Sequence, residues 1–227
     1  MMKLTMNEKT ICGDIYFLQI VGDKIVLNDD YEGLCILDSN LQAIKKIKII
    51  QDIVIYNSVV VSEKEVLLNC IENGIMFIVN IETDEIKKIH FPDMLKNEIL
   101  LKMIKKEENA VILKTYKNHF YRMNMGDMTF ERVDNDVYFD EEYNEECNDI
   151  ENIKGYDDYA VLDDIIVYME ENKLLIFKGK EKHILLPDEG YYYIRVKLLD
   201  KSVKQLVVLS SRNDNSKCKI LSYSFDK

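Results

Sequence analysis

"NGIMFIVNIETDEIKKIHF", residues 73–91, decides the fold. Two short runs rich in Ile, Val and Phe flank "IETD" (81–84), whose Thr and Asp suit a turn. The stretch therefore reads as a β-hairpin. Immediately upstream, "DIVIYNSVVVSEKEVLLNC" (52–70) holds a second pair of such runs, separated by "SEKE". Four strands within about 40 residues form one unit. The same grammar appears first in "IYFLQIV", "KIVLN", "GLCILD" and "LQAIKKIKI". It returns in "ILLKMIKKEENAVILKTY", "KNHFYRMNM" and "MTFERVD", then in "DDYAVLDDIIVYME", "ENKLLIFKG" and "KHILLP". The last unit is "YYYIRVKLLDKSVKQLVVLSS" followed by "RNDNSKCKILSYSFDK".

The third strands of the units align on Gly33, Gly74, His119, Lys173 and Cys218, at intervals of 41, 45, 54 and 45 residues. The long interval contains an acidic insertion, residues 134–164. A period of 40 to 50 residues with four strands per unit resembles the β-propeller family, one blade per repeat, across nearly the whole chain. The ends agree with that likeness. The fifth unit stops after its third strand, "KILSYSF", while "MMKLTM" precedes the first unit as an orphan strand. Pairing the two would complete the last blade and remove two exposed edges at once. The resemblance implies an all-β, five-bladed, propeller-like ring closed by its N-terminal strand, in a single domain over residues 1–227. It rests on repeat grammar: the chain has no Trp, hence no WD or kelch marker, and only eight Gly. A β-sandwich or open meander is the alternative. Units one and two share Ile-Lys-Lys-Ile (44–47 and 86–89). At "FPDMLKNEILLKMIKK" (91–106), Pro92 and Asp93 suggest a short helix or turn near 92–97 before the next strand; a helix with Leu95, Ile99 and Met103 on one face is the competing reading.

No run approaches the roughly 18 apolar residues of a membrane helix, and the polar N-terminus does not resemble a signal peptide. Five widely spaced cysteines (Cys12, Cys35, Cys70, Cys147, Cys218) form no CxxC pair and read as reduced, mostly buried small hydrophobes. A cytoplasmic location is the corresponding expectation.

Charge is unevenly placed. Residues 134–164 hold 13 of the 41 Asp/Glu and one of the 30 Lys/Arg, leaving 28 acids against 29 bases elsewhere. The net charge of −11 thus belongs to one segment. Without a basic stripe, nucleic acid is not an expected partner. Inside the segment Asp134, Asp136, Asp140, Glu142 and Glu145 match positions 1, 3, 7, 9 and 12 of a calcium loop. Tyr138 and Phe139 stand where a ligand and the obligatory Gly belong, so no metal site is assigned. A solvated acidic loop is the bland reading. Its aromatics argue for a contact surface instead, because rings supply area while carboxylates supply steering. The candidate partner-binding residues are Tyr138, Phe139, Asp140, Glu141, Glu142, Tyr143, Glu145, Glu146 and Asp149.

No nucleophile, phosphate-loop or zinc motif occurs, and no cofactor is implied. His90, His119 and His183 lack metal-type neighbours in sequence. Asp14, Asp52, Asp157, Asp158 and Asp164 fall near the starts of inner strands, where propeller glycosidases place carboxylates. Tyr191 and Tyr193 share one strand face and Tyr192 takes the other, for packing or for a stacking platform. The expected function is a non-enzymatic binding protein that engages a basic partner through its acidic insertion, such as an immunity-type inhibitor of a nuclease toxin. A carbohydrate-binding or glycoside-processing propeller is the alternative.

Overall fold

Strands that are apolar at every position, rather than every second one, belong where both faces are covered. The sequence puts such runs in the second and third strands of each unit, and a computed structural model of the chain shows them there. It describes residues 4–70, 74–133, 158–200, 204–214 and 216–225. The N-terminal strand is β1 (Leu4–Cys12). The first sheet then contains β2 (Leu18–Val21), β3 (Lys24–Asp29), β4 (Gly33–Leu37) and β5 (Ala43–Lys48). The second contains β6 (Asn57–Ser62), β7 (Glu65–Cys70), β8 (Ile75–Asn80) and β9 (Ile86–His90). The third is built from β10 (Leu100–Glu107), β11 (Ala110–Thr115), β12 (Phe120–Asn124) and β13 (Phe130–Val133), and the fourth from β14 (Tyr159–Leu162), β15 (Ile165–Glu170), β16 (Lys173–Lys178) and β17 (Glu181–Leu185). The fifth takes β18 (Tyr191–Leu199), β19 (Gln205–Arg212) and β20 (Lys217–Phe225) and borrows β1, in the order β1-β20-β19-β18.

Five four-stranded antiparallel sheets are thus the blades expected of a small propeller. The pairing of the chain ends is realised over the described residues: β1 lies antiparallel to β20 from Leu4 opposite Phe225 to Cys12 opposite Lys217. Side chains reinforce this seam. Lys219 reaches Glu8 at 3.0 Å and Asp188 at 2.5 Å, and Lys9 donates to the Leu41 carbonyl at 2.8 Å.

The chain forms two compact units, Met1–Gln51 with Asn152–Lys227, and Asp52–Glu151. In the first, sheets four, five and one follow one another, with β14 beside β18 and β18 beside β2. One core packs Val167, Met169 and Ile176 against Val196, Leu206 and Tyr223; another packs Ile25, Leu27 and Leu37 against Val207, Leu209 and Cys218. In the second unit β6 lies beside β10, and Leu67, Met76 and Ile89 meet Met103, Val111 and Met123. Of the cysteines, Cys70 and Cys218 are buried, Cys35 is half-buried and Cys12 is exposed; all four are unpaired, and Cys147 lies outside the described residues. Burial pushes the Cys70 thiol up to about 12, so it is inert.

The repeated Ile-Lys-Lys-Ile now has a physical account. It occupies β5 and β9, the outermost strands of the first two sheets. One isoleucine of each, Ile47 and Ile89, is buried. The lysines line an open edge, where charge discourages pairing with another chain. Between β9 and β10 only a 3-10 turn forms, Asp93–Leu95. Leu95 is buried while Ile99 is exposed, so the one-face helix does not arise.

Two residues fix the first sheet. A Cβ on Gly33 would lie 2.0 Å from the Ile47 carbonyl oxygen, so only glycine permits the β4–β5 approach. Buried Asn28 accepts from the Tyr16 and Phe17 amides at 3.0 Å and donates to the Asp14 and Asp30 carbonyls at 2.7 and 3.0 Å. One side chain thereby satisfies the irregular entry loop. We expect Asn28→Ala to lower the unfolding free energy by about 3 kcal/mol in urea titration, since four backbone groups lose their partner. Deleting residues 1–12 should leave β20 unpaired and give concentration-dependent oligomers larger than any of the full chain in light scattering, whereas a product no larger than the full chain would contradict the role of the edge.

Candidate functional site

The second unit carries a cleft of about 600 Å³ at the end formed by its hairpin turns. Its walls come from the β6–β7 and β8–β9 turns of one sheet and the β10–β11 and β12–β13 turns of the next. Val61, Ile78, Met125 and Met128 supply apolar lining, and Glu63, Glu65, Glu85 and Glu108 supply charge, with Lys87 and Lys105 as the two cations. Lys105 is engaged, donating to the Val61 carbonyl at 2.5 Å. Glu65 accepts from the Ser62 hydroxyl at 3.1 Å. Glu85 and Glu108 form no ion pair with another described residue. Four carboxylates against one engaged and one exposed lysine suit a cation with an aliphatic stem, for which methionine side chains make an adaptable contact.

At the opposite end, where β6 and β10 begin, lies a buried carboxylate that sequence spacing did not reveal. Glu98 is only 8% exposed in its side chain, and its Oε1 sits 3.0 Å from His119 Nδ1 and 3.5 Å from Lys117 Nζ. Its other oxygen, Oε2, is buried without a partner. Burial works to raise the Glu98 pKa, but hydrogen bonds from His119 and Thr115 and the positive Lys117 outweigh it. The carboxyl is therefore held below its ordinary range. An ionised Glu98 can only accept, so His119 Nδ1 carries the proton, which in the neutral ring leaves Nε2 as an acceptor. Glu98 and His119 are 21 residues apart and meet only because the loop before β10 packs on the β11–β12 turn. The single hint is that each follows Lys-Asn, at 96–97 and 117–118.

The nine predicted contact residues, Tyr138 to Asp149, lie outside the described residues, as do the five carboxylates of the calcium-like pattern. The inner-strand aspartates do local work. Asp14 accepts from the Tyr31 hydroxyl at 2.5 Å, which pushes the Tyr31 pKa up to about 12. Asp158 accepts from the amides of Tyr159 and Val196 at 3.1 and 2.8 Å, tying β14 to β18. Asp52 occupies a left-handed turn position, φ 59°. Asp164 lies in the β14–β15 turn, its carbonyl accepting from Gly179; Asp157 is not described. Among the described residues no group of three or more His, Cys, Asp or Glu is arranged for a metal. His90 ends β9 and His183 sits within β17, as outer-strand residues. Of the tyrosines, Tyr193 is buried in the core between sheets four and five. Tyr191 lies under Lys219 at 4.8 Å, and Tyr192 lines a small 260 Å³ cavity with Tyr193, Met169 and Asn172.

No protein-family model and no curated protein matches the chain. Its fold is nonetheless similar to that of solved β-propellers. The β-propeller domain of Cps50 (Swd1) from Myceliophteria thermophila superposes with a TM-score of 0.59 at 7% identity, covering 97% of this chain and 99% of that one. Virginiamycin B lyase from Staphylococcus aureus gives 0.47 at 6% identity over 95% and 74% of the two chains. YCF48 bound to D1 peptide gives 0.46 at 9% over 92% and 67%. At such identities the first likeness establishes the fold, that of a β-propeller, and nothing further.

The Glu98 geometry has a pH signature. The folded-state pKa lies below the unfolded value of about 4.3, so the ion's contribution is complete above that pH and disappears as pH falls through the folded value. Urea unfolding should find Glu98→Gln less stable than wild type by on the order of 1 kcal/mol at pH 7. The gap should shrink as pH is taken below 4; an equal gap at pH 7 and pH 3 would contradict the assignment.

Proposed function

We propose that this protein is a non-enzymatic binding module that engages a basic protein partner through its acidic segment and the acidic cleft. The observation that carries the reading is the confinement of the chain's net negative charge to residues 134–164, on a scaffold whose charges otherwise balance. Charge scattered for solubility would not be so confined. Charge gathered in one aromatic-bearing stretch gives a directional field and a contact surface together. The cleft adds a second acidic feature, with carboxylates above an apolar lining where a lysine or arginine stem fits.

A concrete form of this reading is an immunity-type inhibitor. Carboxylates spaced as densely as phosphates would compete for the substrate cleft of a basic nuclease. The glycan-processing alternative receives less support, because Asp14, Asp158 and Asp164 already serve local hydrogen bonds and turns.

The test uses a purified basic nuclease domain as probe and an acidic nuclease as control, with association followed by stopped flow. Association with the basic domain should be fast at low salt and fall steeply as ionic strength rises through about 0.15 M, where the Debye length is about 8 Å. The Glu141/Glu142/Glu145/Glu146→Gln variant should associate about tenfold more slowly. Glu85→Lys with Glu108→Lys should chiefly raise the dissociation rate. Equal rates for wild type and the glutamine variant at low salt would refute the reading.

A further inference from the structure

The end of the second unit that carries Glu98 and His119 is unlike the rest of the surface. Ten large apolar side chains are exposed among the described residues, and five belong here: Tyr56, Met94, Ile99, Leu101 and Tyr116. They are neighbours by bonding as well as by sequence. The Tyr116 amide donates to the Ile99 carbonyl at 3.0 Å. The Asn57 side chain, next to Tyr56, donates to the Leu100 carbonyl at 3.0 Å. Tyr121 reaches the Met94 carbonyl at 3.4 Å. Tyr116 is 66% and Ile99 51% exposed. Together the five expose on the order of 500 Å² of side chain, the size at which an apolar patch on a soluble protein is often functional.

The same end holds every buried unpartnered side-chain polar atom of this unit among the described residues: Glu98 Oε2 and both amide atoms of Asn69. Asn69 lies opposite Asn57 across β6 and β7, one strand from Leu100. An apolar patch above half-satisfied polar groups is a surface built for something other than water.

We propose that this patch is an isologous contact between two copies of the chain. Self-complementarity of the patch points to a second copy. A twofold contact requires one patch to offer both halves of each interaction. This patch does so: the exposed Tyr116 hydroxyl is a donor that bonds no other described residue, and His119 Nε2, oriented by Glu98, is an acceptor three residues away. Across a twofold axis the Tyr116 of each copy can donate to the His119 of the other, while Ile99 and Met94 face their equivalents. The nearby charges balance, Asp93 with Lys96 at 2.5 Å and Glu98 with Lys117, so like-charge repulsion does not oppose the pairing. Burying about 500 Å² on each copy gives a total near 1,000 Å², at the low end for specific complexes, so the dimer is weak and reversible.

Sedimentation velocity on the full chain measures this directly, from about 1 μM to 1 mM, with reductant present because Cys12 is exposed. The weight-average mass of the 26.7 kDa chain should rise towards twice that value in the upper part of the range. Ile99→Lys should abolish the rise. Tyr116→Phe keeps the ring but loses the hydroxyl twice per dimer, at about fivefold each, so Kd should rise about 25-fold. Ile184→Lys, at an exposed apolar site on β17, should leave the equilibrium unchanged. Thermal melts of each variant establish that it is folded. A wild type that stays monomeric throughout overturns the proposal and leaves the patch to a different protein. A dimer that survives Ile99→Lys, or that Ile184→Lys abolishes, overturns it equally.

Discussion

A sheet edge is a row of backbone donors and acceptors that must be paired, charged or covered, and in this protein that requirement organises the rest. Five four-stranded sheets have ten edges, and a loose first strand would add two more. The chain ends avoid those two by bringing β1 to β20 over nine residue pairs. Without that strand the fifth sheet would be three strands wide, and the buried run of β20 would border solvent. The outer strands of sheets one and two are handled differently, by lysines at the edge and a single isoleucine turned inward. Pairing and charge are thus two solutions to one problem, used in different sheets of the same molecule.

Edges that must be paired or charged are also why so much of the fold was legible. Strand number, strand order within a sheet and the closing pair all follow from local apolar runs, turn residues and the unbalanced ends. Each of these is written in contiguous sequence. "KIVLN" and "EVLLNC" even announce an equivalence that the structure keeps, placing Asn28 and Asn69 at the same position of β3 and β7. What contiguous sequence does not carry is the meeting of turns. The cleft takes residues from four hairpin turns between Val61 and Met128, and Glu98 reaches His119 across two elements. A glutamate in a turn has an ordinary explanation on its own. Only the stacking of one sheet on the next makes four of them neighbours, and the glutamates of "SEKE" and "KKEEN" gave no sign of it.

Burial decides which polar residues matter. Asn28 and Asn69 share a position, yet Asn28 makes four hydrogen bonds to its entry loop while the Asn69 side chain makes none among the described residues. An unpaired buried amide costs about 1–3 kcal/mol, as much as a good core contact contributes. The first sheet therefore uses its asparagine to fix a loop, while the second tolerates an unfavourable group. Glu98 repeats the pattern within the same unit: one oxygen is firmly held and the other is unmatched.

The two ends of the second unit then differ in the kind of association they can support. At the cleft, carboxylates in solvent act at a distance. They raise encounter rates with cations and lose that influence within roughly 10 Å in salt. At the Glu98 end the charges are paired or buried, so nothing steers a partner from afar. Contact there depends on removing apolar area from water, at about 25 cal/mol per Å², and on one correctly placed hydrogen bond. The first surface discriminates by sign of charge and the second by shape. On the two proposals above, the molecule would meet a basic protein at one end of this unit and its own kind at the other, and salt would weaken only the first of these encounters.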